Sequence, residues 1–352
     1  MTKTIAELET PCVLIDIDRV EANLGRAQAH AEANGYRLRP HIKTHKLPQF
    51  ARRQVELGAV GITVQKLGEA EVMADAGLKD IFLPYNIIGA AKLARLRTLN
   101  LRVTLAVTAD SPDTVSGYAA TFADADRSLT VLVECDTGGG RCGVQSPAQA
   151  LALARQIAMS PGLAFGGLMT YPPLNGAEKA EAWLKEAVAL LGQAGLDVPV
   201  ISSGNTPDMW VGGQSIVTER RPGTYIYYDR FQVQQGAAKW EDCALTVLTT
   251  VVSRPTATRV VLDAGSKSLT SDTLGQVGYG LVMGTDLAIK SLSEEHGVIE
   301  MASPSDTPRI GERLRIIPNH ACVVSNLFDS VYLISGDRII DKLPVAARGR
   351  VD

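Results

Sequence analysis

Arg39-Pro40-His41-Ile42-Lys43-Thr44-His45-Lys46 puts two lysines and two histidines into eight positions, and its reading decides the fold. The whole chain of 352 residues has five histidines, two of them in this stretch. Residues 38–43 read as the first strand of a barrel. Alternation along such a strand places His41, Lys43 and His45 on one face, with Ile42, Thr44 and Lys46 on the other. A deprotonated lysine amine forms a Schiff base with an aldehyde, which no other side chain does as well. A solvated basic turn is the alternative reading, and the rest of the chain is needed to choose.

Working outward, short apolar runs recur at 61–64, 81–84, 102–107, 130–135, 163–170, 199–202 and 216–219. Between them lie amphipathic patterns, among them 48–57, 68–76, 90–99, 148–159 and 177–193, with Ser, Gly and Pro at their ends. A strand at 12–16 and a helix at 20–34 come first. Eight strands alternating with helices predict a (β/α)8 TIM-type barrel over 18–236. The rhythm breaks near Gln232. Beyond it the runs at 244–253, 259–262, 311–317 and 330–334 read as strands separated by Gly, Pro, Asp and Ser. A second, mostly β domain is expected over 237–352, joined by the N-terminal strand within 1–17.

Composition fits a soluble globular protein, with 45% hydrophobic and 21% charged residues. The formal net charge of -3 and the lack of a basic run argue against nucleic acid as a partner. No apolar stretch is long enough to span a bilayer, and the N-terminus has no secretory apolar segment. The expectation is a cytoplasmic enzyme with a small-molecule substrate and no membrane partner. Five scattered cysteines, Cys12, Cys135, Cys142, Cys243 and Cys322, form no disulfide framework. Most read as small buried hydrophobes; Cys322 stands apart.

Barrel enzymes react at the C-terminal ends of their strands and commonly bind phosphate after the last two. Lys43 ends the first strand. Ser202-Ser203-Gly204-Asn205-Thr206-Pro207 follows the seventh, and Arg221-Pro222-Gly223-Thr224-Tyr225 follows the eighth. Glycine permits close backbone approach there, and free N–H groups at a helix start attract an anion. A lysine facing two such loops describes an aldehyde that carries a phosphate, namely pyridoxal 5'-phosphate. Ser203, Gly204, Asn205, Thr206, Gly223, Thr224 and Tyr225 are its candidate phosphate-side residues. Arg141, after the Gly138-Gly139-Gly140 turn, is a candidate partner for the cofactor ring, or else a surface arginine. Gln65 and Tyr171 close strands two and six and line the pocket, a core or rim role being the other reading. Glu134 and Asp136 read as structural ion-pair partners. Lys267, in Asp263-Ala264-Gly265-Ser266-Lys267, lies off the barrel, so Lys43 is preferred.

These motifs resemble the D-threonine aldolase and D-serine dehydratase family of pyridoxal-phosphate enzymes, which have the alanine-racemase-type fold, fold type III. The resemblance rests on Thr10-Pro11, the 39–46 octapeptide, Gln65-Lys66-Leu67-Gly68-Glu69-Ala70-Glu71, Arg141-Cys142-Gly143-Val144 and Pro318-Asn319-His320-Ala321-Cys322. It implies a homodimer with the cofactor on Lys43, His41 beside it in catalysis, and a divalent metal. His320 and Cys322 carry the metal reading by themselves too, since a strand would aim residues two apart to one side. Imidazole with thiolate favours zinc, with manganese or magnesium as alternatives.

The resemblance implies two outcomes at a metal-held β-hydroxyl. Retro-aldol cleavage of a D-3-hydroxy amino acid gives glycine and an aldehyde, the preferred reading. Loss of the hydroxyl, as from D-serine or 3-hydroxy-D-aspartate, gives a 2-oxo acid and ammonia. In the family the His-x-Cys pair is more typical of dehydratases, whereas some aldolases carry aspartate in place of the cysteine. Pro172-Pro173-Leu174-Asn175-Gly176 stands where many relatives have a glycine- and histidine-containing loop over the substrate, which leaves the substrate side chain open. Racemisation would need a second base, and none announces itself. A non-catalytic pyridoxal-phosphate-binding protein would resemble a bare barrel, and the region beyond Gln232 argues against it.

Overall fold

The structure, a computed structural model, describes residues 3–212 and 215–352. The chain divides into two compact units: a β-rich unit of Met1–Arg26, Thr44–Leu47 and Thr224–Gly349, and a barrel unit of Ala27–Lys43, Pro48–Gly223 and Arg350–Asp352. Strand β1 (Cys12–Asp16) belongs to the first. The next eight build the second: β2 (Arg37–Leu38), β3 (Ile62–Thr63), β4 (Asp80–Leu83), β5 (Thr104–Ala109), β6 (Leu129–Cys135), β7 (Leu163–Thr170), β8 (Val200–Ser203) and β9 (Glu219–Arg220).

All eight barrel strands pair in parallel, in the order β2-β9-β8-β7-β6-β5-β4-β3. The open ends meet as well. Val60 donates its N–H to Leu38 O at 2.9 Å, Thr63 donates to Pro40 O at 2.8 Å, and His41 bridges Thr63 in parallel. The ring is closed, as the eightfold alternation predicts. Parallel strands covered on both faces need near-continuous apolar runs, and Ile81, Leu83, Val107, Val131, Val133 and Leu168 are all fully buried. Where β7 meets β8, Gly167 has φ 127° and a Cβ there would lie 1.9 Å from Val200 O, so only glycine fits.

The barrel interior also holds a polar chain. Arg39 Nε donates to Glu219 Oε2 at 3.0 Å, and the Ser202 hydroxyl donates to Glu219 Oε1 at 2.7 Å. Arg221 donates to Ser202 Oγ at 2.5 Å and to Thr170 O at 2.7 Å. Glu219 is 2% exposed, so removing Arg39 would strand a buried carboxylate at a cost of about 3–5 kcal/mol.

The β-rich unit contains β10 (Leu245–Ser253), β11 (Arg259–Leu262), β12 (Gly280–Val282), β13 (Ile289–Leu292), β14 (Gly297–Glu300), β15 (Arg313–Pro318), β16 (Ser330–Ser335) and β17 (Arg338–Pro344). With β1 they form one nine-stranded sheet. All five residues of β1 are buried, and it lies antiparallel to β10 and parallel to β16. Leu8, Cys12, Leu14, Leu248 and Ile334 cluster beneath it. Strands β12, β13, β14 and β17 are short or exposed, and apolar runs alone do not reveal them.

Two local readings need correction. The 38–43 run is not a six-residue strand: β2 ends at Leu38, and Ile42–Thr44 is a 3-10 turn. Pairing continues as far as His41, whose N–H reaches Pro222 O at 2.9 Å, and the turn at Ile42–Thr44 then ends the extended chain, so the alternation that would align His41, Lys43 and His45 does not form. The His-x-Cys pair is not on a strand either. Strand β15 stops at Pro318, His320 caps the helix Ala321–Leu327, and Cys322 lies in its first turn.

Candidate active site

In the barrel unit, the ends of β2 and β3 place three of the expected residues together. His41 Nε2 lies 3.0 Å from Gln65 Oε1, and His41 Nδ1 lies 3.4 Å from the Lys43 backbone nitrogen. An amide oxygen only accepts, so Nε2 carries the hydrogen and Nδ1 is left to accept from Lys43. His41 therefore fastens the turn that presents Lys43. Gln65 is anchored in turn, its N–H reaching Glu69 Oε2 at 2.7 Å at the start of the helix Leu67–Asp75.

The two loops expected to hold phosphate are joined, since Gly223 donates its N–H to Thr206 Oγ1 at 3.2 Å. Gly204 has φ 102°, a conformation glycine adopts without cost. Asn205 accepts the Asp208 N–H at 2.8 Å and donates to its carboxylate at 3.1 Å, which closes the loop on itself. Ser203, Asn205 and Thr206 are buried, and Ser203 O accepts from the Arg221 N–H at 3.3 Å. This set of backbone donors and hydroxyls fits a phosphate, and a lysine on the same barrel fits its aldehyde.

Arg141 and Tyr171 are also brought together, the guanidinium lying 5.0 Å from the ring centroid. Both are exposed. The loop carrying Arg141 is built by Asp136, whose Oδ1 accepts N–H bonds from Gly138, Gly139 and Gly140 at 2.9, 2.7 and 3.1 Å. Burial opposes its ionised form, but those donors outweigh burial and hold its pKa below the usual range. Asp136 is thus a turn-former rather than an ion-pair partner. Glu134 is buried and takes a hydrogen bond from Thr108 at 3.2 Å, and burial raises its pKa. Cys142 is exposed, whereas Cys12, Cys135 and Cys243 are buried.

In the β-rich unit, His320 and Cys322 lie two positions apart at the start of the helix Ala321–Leu327, and each shifts the other's ionisation. Thr44 Oγ1 lies 3.2 Å and Thr224 Oγ1 3.6 Å from the Cys322 sulfur. Burial pushes the thiol up, but His320 pulls its pKa below the ordinary value. Burial also disfavours a charged His320, yet Cys322 and then Asp272 raise its pKa. Thiolate and imidazole side by side are a donor pair for a divalent cation. Among the described residues no cluster of three or more His, Cys, Asp or Glu side chains is arranged to hold a metal, so two protein ligands are what this pair offers. Thr224 faces that sulfur, and Tyr225 is buried in the same unit. Lys267 is exposed, with its amine 2.8 Å from both Glu294 and Glu295. Two carboxylates hold that amine protonated, which makes it a poor nucleophile.

A model of the alanine racemase N-terminal domain matches residues 15–230, and one of a putative serine dehydratase domain matches residues 244–334. The chain is 34% identical to a D-threonine aldolase of an Arthrobacter species, over 98% of this chain and 94% of that one. The chain belongs to the D-threonine aldolase and D-serine dehydratase family. Its pyridoxal-phosphate enzymes are lyases, and a second member, the D-threo-3-hydroxyaspartate dehydratase of Delftia sp., is 32% identical over 96% of this chain and 97% of its own. The solved D-threonine aldolase of Filomicrobium marinum superimposes with a TM-score of 0.92 at 30% identity, covering 100% and 99% of the two chains. As a member of this family the protein is a pyridoxal-phosphate-dependent lyase.

Sequence reading missed two groups of this family member. Asp272 pairs with His320 from 48 positions away, and Arg221 ends the buried chain through Ser202. Neither carries a local motif. Arg221 stood inside a quoted loop, but nothing in the order of residues says that its guanidinium turns inward.

Proposed function

We propose that the protein cleaves a D-3-hydroxy amino acid by a retro-aldol reaction, giving glycine and an aldehyde, with pyridoxal phosphate and a divalent cation. The observation that supports a cation-assisted lyase is the His320–Cys322 pair, with Asp272 behind the imidazole, and the similarity to a D-threonine aldolase, 34% identical over 98% of this chain, is what favours the aldolase. Pyridoxal phosphate, when bound, supplies the electron sink for the pair released at Cα. Lys43 would carry the cofactor, and Ser203, Gly204, Asn205, Thr206, Gly223, Thr224 and Tyr225 would take its phosphate, through N–H groups and hydroxyls. Arg141 would partner its ring, Gln65 and Tyr171 would line its pocket, and His41 keeps the Lys43 turn in place. His320 and Cys322 would hold zinc, manganese or magnesium, whose chemistry there is to acidify and orient a hydroxyl. The β-hydroxyl would give its proton to solvent, its oxygen would form the aldehyde C=O as the Cα–Cβ bond breaks, and Cα would take a proton from solvent to leave glycine. With this reading go a cytoplasmic homodimer and a cofactor domain over 18–236.

A dehydratase is the second reading, favoured by cysteine rather than aspartate at position 322. In that case the α-proton leaves first, the hydroxyl is expelled as water, and a second water hydrolyses the resulting imine to a 2-oxo acid and ammonia. Incubation of the purified protein with D-threonine, D-serine and 3-hydroxy-D-aspartate, with glycine and ammonia measured in parallel, separates the two. Glycine with acetaldehyde or glyoxylate supports the aldolase. Ammonia without glycine overturns it.

A further inference from the structure

We propose that Asp272 is the positioning residue of the His320–Cys322 pair, fixing the imidazole so that Nε2 is the nitrogen offered to a divalent cation. This rests on the cation reading of the proposed function. Asp272 Oδ2 lies 2.7 Å from His320 Nδ1. A carboxylate accepts and does not donate, so Nδ1 carries a hydrogen and Nε2 is the ring nitrogen left for a cation. Ligating histidines are typically held this way from behind.

The loop that delivers Asp272 is built at some cost. Thr270 has φ 66° and ψ 148°, and Leu274 has φ 48°. Side chains with a Cβ rarely adopt such values, and each costs about 1–3 kcal/mol. The surroundings hold the loop there. Thr270 Oγ1 accepts the Asp272 N–H at 3.1 Å, and Asp272 Oδ1 accepts the Leu274 N–H at 3.4 Å. Asn319, the residue before His320, donates to Gly278 O at 2.8 Å, and Arg230 bonds both Val277 O and Asn319 Oδ1, at 2.8 and 3.1 Å. The loop and the chain leading into His320 are clamped together.

Stability does not explain the arrangement. The side chains of His320 and Asp272 are 25% and 39% exposed, and a pair that open to water contributes little to the fold. Asp229, the other carboxylate near this ring, spends its oxygens on the N–H groups of Ala321 and Gln232, at 2.9 and 3.0 Å. Asp272 is therefore the carboxylate that contacts the ring.

The test measures zinc affinity of the cofactor-loaded, full-length protein, stripped of metal and titrated against a chromogenic chelator. Asp272→Asn should weaken zinc about 10–100-fold, because an amide can donate to Nδ1 and push the hydrogen onto Nε2. Asp272→Glu should recover part of that loss, while the cofactor absorbance and the melting temperature of the metal-free protein stay at wild-type values. Wild-type zinc affinity in Asp272→Asn overturns the positioning role and leaves the cation reading standing. A lowered metal-free melting temperature without rescue by Asp272→Glu also overturns it, in favour of a structural role. Wild-type protein that binds no zinc, or His320→Ala binding it as tightly as wild type, overturns both readings together.

Discussion

The backbone N–H of Gly223 reaches the hydroxyl of Thr206 across 3.2 Å, so the loop after β8 and the loop after β9 meet at a hydrogen bond. The two loops are therefore one structure, and altering either should be felt in the grip on phosphate. Thr206→Val removes the acceptor at nearly constant size. It should weaken cofactor binding by about 1 kcal/mol, roughly fivefold, read from absorbance during titration of apoprotein with pyridoxal phosphate. Gly223→Val should weaken it further by crowding the backbone approach. Wild-type affinity in both folded variants would place the phosphate elsewhere.

Lys43→Ala should give a colourless protein without turnover, whereas Lys267→Ala should stay yellow and active. The contrast follows from surroundings: Lys267 is exposed and pinned by Glu294 and Glu295. Borohydride reduction followed by peptide mapping checks the assignment. Label on Lys267 in the Lys43→Ala variant would show that the wrong lysine was chosen.

Chelation should abolish lyase activity and leave the yellow colour, because neither His320 nor Cys322 is among the residues assigned to the phosphate and the aldehyde. Cys322→Ser should weaken the metal by more than the about 10–100-fold that loss of a supporting partner costs, since a hydroxyl is a far poorer ligand than a thiolate. D-Alanine, which has no β-hydroxyl, should bind and perturb the absorbance but not be cleaved. Full activity after exhaustive EDTA treatment, with metal content checked by elemental analysis, removes the cation from the reaction.

Glu134 gives a pH-dependent expectation. Burial raises its folded pKa above the unfolded value, so the fold favours the protonated form. Its contribution to stability is present below the unfolded pKa and is lost as pH rises through the folded one. Glu134→Gln keeps the acceptor for Thr108 and removes the charge. The variant should melt above wild type at neutral pH, with the gap closing in acid. An equal gap across pH 4–8, or none, would show that Glu134 is not strained by burial.

Much of the barrel was legible along the chain. The sequence ranges 163–170 and 177–193 coincide with β7 and with the helix Ala177–Gln193, because a long apolar run and a 3.6-residue period each leave a local mark. Short strands left less: the run at 216–219 meets only Glu219–Arg220, and β12 to β14 and β17 were not foreseen. Of the site, Lys43, the two loops and the His-x-Cys pair could be named from residue type and spacing. The strand geometry assumed for His41, Lys43 and His45 could not hold, since the chain leaves the ladder after His41 and turns at Ile42–Thr44.

The sequence by itself determined the alternation, the class of cofactor chemistry and the residues able to perform it, since these follow from backbone periods and side-chain chemistry that neighbours in the chain express. Only the tertiary structure decided which groups meet. Arg39 finds Glu219 180 positions away, and Asp272 finds His320 at a separation of 48. The first contact exists because the barrel closes, the second because a strained loop is clamped to the chain before His320. Neither residue order nor local propensity encodes a hydrogen bond of that kind. It forms when folding has brought distant partners within 3 Å of one another.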